Sequence, residues 1–266
     1  MIIRAAQLPA IPGGNQDRVL VGERAVVVLD GVSGTDQVVS VVDYVDALGA
    51  RLIKLLDGEP ERSLPDVVTV ALGGVVADLG VAVGRCPAAT VAIVRDAGAA
   101  VEVLVLCDSP VYVATDTGIH RVWDSRLADL PLVNRQAALA RLADGSGFDD
   151  AHRQLLVAMQ AEKAHWRNQV NGYWVAEADP RAGQHAIVRT FPTAGVRWCA
   201  LLTDGADEPM RHMNIGIDAV ANHDERALAE LLAQLYSWEA HDDPDARRML
   251  RFKRHDDKTI AVVDFR

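Results

Sequence analysis

AVVVLDGVSG, residues Ala25 to Gly34, is a run of apolar β-formers that ends abruptly in an acid, a glycine and a few more small residues. Valine is stiff at χ1 and fits a pleated surface, so Ala25 to Leu29 reads as a buried strand. Asp30 then stands where that strand leaves the core. A carboxylate at the mouth of a central strand, beside a glycine whose carbonyl can be approached closely, is suited to holding a hard cation. The same Asp-Gly pair equally suits the start of a turn.

Upstream, Asn15-Gln16-Asp17-Arg18 leads into Val19 to Val21 and a tight Gly22-Glu23-Arg24 turn, a hairpin that brings both acids to one edge of a sheet. Downstream, Asp36 to Leu56 carries apolar residues at spacings of three and four, and Leu64 to Val83 repeats the pattern with Pro65 in a first helical turn. These two helices form an outer layer. Strands over Thr90 to Val94, Val101 to Cys107, Pro110 to Ala114 and Ile119 to Trp123 form a meander, in which Cys107-Asp108-Ser109-Pro110 puts an acid at a second strand end.

Leu132 to Leu142 and Asp150 to Lys163 are helical by period, and residues 144–192 contain an insertion or flap with strand-like runs at Tyr173 to Ala176 and Ala186 to Phe191. The core strand Trp198 to Leu202 ends in Thr203-Asp204-Gly205. Asn222 caps a helix to Ala240, Pro244 to Lys253 is a further helical piece, and His255-Asp256-Asp257-Lys258 precedes the last strand, Thr259 to Phe265. Without repeats, low-complexity tracts or linkers, residues 1–266 read as a single domain. The order of elements predicts an α+β fold: two mainly antiparallel sheets packed face to face and flanked by helices, a four-layer α/β/β/α sandwich.

With 27 basic and 37 acidic side chains the net charge is −10, which repels a phosphate backbone and argues against nucleic acid as the main partner. The basic cluster Arg247, Arg248, Arg251, Lys253 and Arg254 reads as a solvated helix face in preference to a docking patch. Cys86, Cys107 and Cys199 are dispersed without CxxC spacing, which points to a reducing compartment. No signal peptide or membrane span is read from the chain, so a cytoplasmic protein is expected. The eight histidines are scattered and form no ligand pair. Cys107 lies beside Asp108, which disfavours a thiolate nucleophile.

Several acids that terminate strands are harder to assign to turns than one. Two hard divalent ions about 3.5–4 Å apart need a bridging carboxylate and flanking acids. Asp30, Asp204 and Asp256 with the Gly31 carbonyl could supply that set, and without a cation their like charges would raise one another's pKa values.

In order, NQDR at Asn15 to Arg18, DGVSG at Asp30 to Gly34, PAAT at Pro87 to Thr90, CDSP at Cys107 to Pro110, TDG at Thr203 to Gly205 and DDKT at Asp256 to Thr259 span nearly the whole chain. Together they resemble the metal-dependent serine/threonine phosphatases of the protein phosphatase 2C (PPM) type, a family with the same four-layer sandwich. The resemblance implies a phosphomonoester hydrolase acting on phosphoserine or phosphothreonine in proteins, using two Mn2+ or Mg2+ ions and a third more weakly held. It makes Asp30 the bridging ligand, Gly31 a carbonyl ligand, Asp204 and Asp256 the other ligands, Asp108 the third-metal residue and Asp17 the residue that orients water. A water shared by the two ions is the implied nucleophile.

The chain also departs from that pattern. Val32 stands where many relatives have histidine or methionine, Cys107 and Pro110 replace a glycine and an arginine around the Asp108 motif, and Pro12 stands where some members carry a phosphate-binding arginine. Arg4 and Arg18 are candidate substitutes for that arginine. These departures motivate a second reading, a catalytically weak regulatory module that binds a phosphoprotein or partner.

Overall fold

The computed structural model describes residues 1–33 and 37–265. Gly34, the last residue of the stretch quoted above, and Asp36, read as the first residue of a helix, lie outside the described residues.

Along the chain, β1 (Ile2–Leu8), β2 (Arg18–Val21) and β3 (Ala25–Val32) are followed by α1 (Val41–Gly58) and α2 (Leu64–Leu79). Next come β4 (Ala88–Asp96), β5 (Ala100–Leu106), β6 (Val111–Thr115) and β7 (Gly118–Val122), then α3 (Val133–Ala143) and α4 (Asp150–Trp166). The chain continues through β8 (Ile187–Pro192), β9 (Val196–Leu202), α5 (Asp204–His212), α6 (Ile217–Val220) and α7 (Glu225–His241) to β10 (Lys258–Asp264). One five-stranded sheet has the order β1-β10-β9-β6-β7 and the other β2-β3-β4-β5-β8, with every pairing antiparallel.

Three apolar clusters make four layers of these elements. Val26 and Val28 of β3 pack with Val113, Cys199 and Val263 between the sheets. Ala25, Val27 and Leu29, on the opposite face of the same strand, pack against Tyr44 and Leu48 of α1 and Val68 and Leu72 of α2. Leu202, Ile260 and Val262 meet α5, α6 and α7 on the far side. Because β3 is covered on both faces, its sequence is continuously apolar instead of alternating.

Several boundaries differ from the sequence reading, each for a local reason. Helix α1 begins at Val41 because Ser40 caps it, accepting from the Asp43 N–H at 3.0 Å. Helix α2 ends at Leu79 because Gly80 turns left-handed, with φ 61°. Helix α7 is capped by Asp224, not Asn222, through the Ala227 N–H at 2.8 Å. The strands from β4 to β7 are not one meander: β4 and β5 belong to one sheet, β6 and β7 to the other. Cys107, in the left-handed region at φ 70°, turns the chain from one sheet to the other. Within the segment read as an insertion, Ile187–Pro192 pairs with β5 as the edge strand of its sheet, and Tyr173 to Ala178 is buried although it forms only isolated bridges. Helix α5 had no counterpart in the sequence reading.

Pro244 to Lys253 is not helical. The carboxylate of Asp243 gathers this segment instead, accepting from the Arg248 and Met249 N–H groups at 2.9 and 3.0 Å and from Arg251 Nη1 at 2.8 Å. Arg251 is therefore part of a buried pair and not of a solvated basic face. Burial opposes ionisation of Asp243, but these amides and the guanidinium outweigh it and hold its carboxyl below the ordinary 3.8. Since the folded value is the lower one, the pair's contribution is complete above that ordinary value and is lost as pH falls through and below it. Asp243→Asn is expected to lower Tm at neutral pH and to narrow the gap to wild type as acid is added, read by thermal melts across pH. An equal gap at all pH values would contradict the ionic contribution.

Candidate active site

Register brings the acidic segments to one end of the sandwich. Leu8 pairs with Lys258, Leu202 with Ile260 and Leu201 with Val111. The ends of β1 and β9 therefore lie beside the starts of β10 and β6. The links at this end carry Asp17, Asp204, Asp256 and Asp108. On the other sheet, Asp30 pairs with Thr90 and Gly31 with Ala89, so Asp30 lies two residues inside the strand's end and not beyond it. Alternation puts Asp30 on the same face as Val26 and Val28, toward the opposing sheet, and turns Gly31 toward the helices.

The segments singled out in the sequence are joined by hydrogen bonds. Asp17 Oδ2 accepts from the hydroxyls of Thr203 and Thr259, both at 2.8 Å, and the Thr259 N–H donates to Thr203 Oγ1 at 3.0 Å. The carboxylate of Asp257 accepts from the N–H groups of Ala10 at 2.7 Å and Gln16 at 2.6 Å. Thr90 Oγ1 accepts from the Asp30 N–H at 3.2 Å and shares a 2.6 Å bond with Ser109 Oγ. NQDR is thus tied to TDG and DDKT, and DG through PAAT to CDSP.

Gly31 has a steric reason to be glycine. A Cβ there would stand 2.5 Å from Val41 Cγ1 and 2.8 Å from the Gln16 carbonyl. Gly31→Ala is expected to cost about 1–3 kcal/mol by overpacking, read as a fall in the chemical-denaturation midpoint. An unchanged midpoint would mean that α1 gives way at no cost.

The electrostatics are those of acids held together. Burial pushes Asp17 up to about 7 against the opposing effect of its hydroxyl donors, with Asp257 and Asp256 adding repulsion. Lost hydration, then Asp17, Asp204 and Asp256, drive Asp30 well above the ordinary 3.8. Asp204 is raised in the same way, first by burial and then by Asp256, Asp108 and Glu208. Its Oδ1 is buried and has no hydrogen-bond partner among the described residues. Asp256 is paired with Lys253 Nζ at 2.8 Å. As the side chains lie, no three His, Cys, Asp or Glu among the described residues stand as a closed metal cage.

The donor set nevertheless fits a hard divalent cation. It consists of carboxylate oxygens, one of them buried without a partner, gathered in a cleft that the buried Gly31 also lines. Like charges so placed are relieved either by taking up protons or by holding a cation between them.

Asp30, Gly31, Asp108, Asp204 and Asp256 line one cleft with a cavity volume of about 450 Å³. Asp17 does not line it; it is buried and bonded to the hydroxyls of Thr203 and Thr259. The sequence reading missed several charged residues of the same cleft: Arg135, Lys163, Glu208 and Lys253. Glu208 lies four residues after Asp204, one turn along the same helix face, which is the signal that could have found it. Lost hydration and the Asp108 carboxylate push it up to about 6. Lys163 is lowered by burial, an effect that Asp108 partly offsets; as a lysine in a helix's last turn it carries no distinguishing sequence signal.

Neither proposed substitute for the missing arginine lines the cleft. Arg4 pairs with Asp264 at 2.5 Å and donates to the carbonyls of Ala221 and His223. Arg18 pairs with Asp46 at 2.6 Å and donates to the carbonyls of Asn15 and Asp17.

No family model and no curated protein sequence matches the chain. Solved structures do. The serine/threonine phosphatase Stp1 from Staphylococcus aureus aligns with a TM-score of 0.61 at 14% identity, over 98% of this chain and 94% of that one. The PPM Ser-Thr phosphatase MsPP from Mycobacterium smegmatis, solved with cacodylate, gives 0.56 at 17%, over 99% and 98%. The catalytic domain of the phosphatase PstP, solved with two manganese ions, gives 0.53 at 17%, over 99% and 97%. At these identities the likeness is one of fold.

Proposed function

From the premise that the chain has the fold of the bacterial PPM-type serine/threonine phosphatases, we propose that it is a metal-dependent phosphomonoester hydrolase acting on phosphoserine or phosphothreonine in proteins. The observation that supports this reading most is the convergence of Asp30, Asp204 and Asp256 in one cleft, with Asp204 Oδ1 buried and unpartnered. In this reading Asp30, the Gly31 carbonyl, Asp204 and Asp256 hold Mn2+ or Mg2+, and Asp108 takes part in a weaker third position. The bound ions would lower the proton affinity of water and neutralise charge on the phosphoryl oxygens.

The chain's own residues do the rest. Asp17, fixed by two hydroxyls, holds the Asp204 segment in register with β10, so that any influence on water at the acidic floor passes through Thr203 and Thr259. Lys163, on the wall of the cleft, supplies positive charge for the phosphate in place of the arginine absent at Pro12; Arg135 adds to it from the same wall while donating to the Leu127 and Ala128 carbonyls. Val32 has no titratable group, so it does not supply the proton that the leaving alkoxide takes up.

Purified protein is expected to release phosphate from p-nitrophenyl phosphate and from a phosphothreonine peptide with manganese, and to stop when EDTA is added. Turnover unaffected by EDTA would overturn the reading. The engagement of Arg4 and Arg18 elsewhere favours the second reading, a weakly catalytic regulatory module. Calorimetric manganese binding without turnover on a phosphopeptide panel would select it.

The described residues contain no helix long and apolar enough to cross a membrane.

A further inference from the structure

The cleft is acidic on one side only. Its other wall belongs to a separate apolar cluster in which Cys107, Leu130, Leu132, Met159, Tyr173 and Val175 are buried. The half-buried members Val32, Leu127, Leu156 and Phe252 pack on that cluster and also line the cleft. Val32 joins the two halves, because it follows Asp30 by two residues and lies on the same strand face. Val32 therefore extends the apolar wall up to the acids.

We propose that this wall is a subsite for a large apolar side chain next to the phosphorylated residue, so that the protein selects phosphopeptides in which the phosphoserine or phosphothreonine is flanked by leucine or a residue of similar size. The proposal rests on the phosphatase reading of the acidic side.

The occupant follows from what the cleft contains. Its volume, about 450 Å³, lies in the range that ligand pockets use. That is room for a phosphorylated side chain and one neighbour. The apolar residues are continuous with the acids in one cavity, so a phosphoryl group placed at Asp30 carries its neighbouring residue onto Leu156 and Phe252. Lys163 and Arg135 line the same space and match the peptide's phosphate in charge. A nucleobase would need an open aromatic face. The Trp123 ring at this cleft is covered by the Arg121 guanidinium, 4.4 Å from its centroid, and Lys163 Nζ stands over the Phe252 ring at 6.0 Å.

The test compares two phosphothreonine peptides identical except that both residues next to the phosphothreonine are leucine in one and serine in the other. With manganese, wild type is expected to favour the leucine peptide in kcat/KM on the order of tenfold, the discrimination an apolar pocket delivers. Leu156→Gln puts a polar group on the wall away from the acids. It is expected to erase this preference, read as the ratio of kcat/KM between the two peptides.

Equal kcat/KM for both peptides in wild type overturns the subsite. So does a preference that survives in both Leu156→Gln and a second wall variant, Leu127→Gln. If neither peptide is hydrolysed, the phosphatase reading fails separately, and binding of the same labelled peptides by fluorescence anisotropy reads the subsite. A tenfold tighter leucine peptide supports it there, and equal or absent binding overturns it.

Discussion

Asp30→Asn is expected to reduce manganese-dependent phosphate release by at least about a thousandfold, equivalent to ~4 kcal/mol of barrier, while raising Tm measured in EDTA. The two effects share one cause. Asp30 lies among Asp17, Asp204 and Asp256, and lost hydration and repulsion push its carboxyl well above 3.8. A folded value above the unfolded one means that the folded chain binds more protons, so stability in EDTA falls as pH rises from about 4 through the folded value. For Asp17 that window runs from 3.8 to about 7. A neutral amide at position 30 removes one charge from the set and with it part of this slope.

Manganese should raise the wild-type Tm and leave that of Asp30→Asn nearly unmoved, since a ligand stabilises only the state that binds it. Thermal melts with EDTA and with manganese, beside a phosphate-release assay, measure all of this. Retained turnover would remove Asp30 from the metal site. A lower Tm in EDTA would show that repulsion is not what the carboxylate contributes.

Lys258→Met is expected to destabilise the protein by about 3–5 kcal/mol, on the order of 10 °C in Tm. Lys258 is completely buried at the start of β10. Its ammonium donates to Glu239 Oε1 at 2.9 Å and to the Asp256 carbonyl at 3.3 Å, and Glu239 Oε2 is 2.9 Å from His255 Nδ1. Removing the ammonium leaves the Glu239 carboxylate buried without its main counter-charge, and that accounts for most of the cost. Adding Glu239→Gln to Lys258→Met should therefore restore at least about half of the loss, because the stranded charge is gone.

This pair also holds the segment that carries Asp256. Lys258→Met at a temperature well below its Tm should accordingly bind manganese about 10–100-fold more weakly, as residues that orient metal ligands do. Denaturant titration and calorimetry check the two statements. A double variant no better than the single one would contradict the stranded-charge account.

The legibility of the chain differs from element to element. Ala25 to Leu29 was readable as a strand because both faces of β3 are covered, so each residue is apolar whichever way it points. Helix α2 was readable because Pro65 and the apolar spacing agree with the cap at Ser63. Pro244 to Lys253 was misread because its helical composition is overridden by one buried carboxylate, Asp243, that collects its backbone amides. Residues Cys107 to Pro110 read as a link within a meander because a change of sheet and a turn use the same short polar residues.

The candidate ligands could be listed from sequence because acids that follow apolar strands stand out against the core. The walls of the cleft could not. Lys163, Phe252 and Leu156 come from a helix and a loop distant in sequence from the acids, and nothing in their own neighbourhoods marks them.

The sequence by itself determined the layers and the acidic segments, since alternation, caps and strand-ending acids are local properties of the chain. Only the tertiary structure decided that Asp30, Asp108, Asp204 and Asp256 share a single cleft, that Asp17 is buried outside its lining, that Arg4 and Arg18 are engaged elsewhere, and that Val32 continues an apolar wall. Each of these depends on which strand end meets which, a matter of long-range register that burial enforces and local composition does not encode.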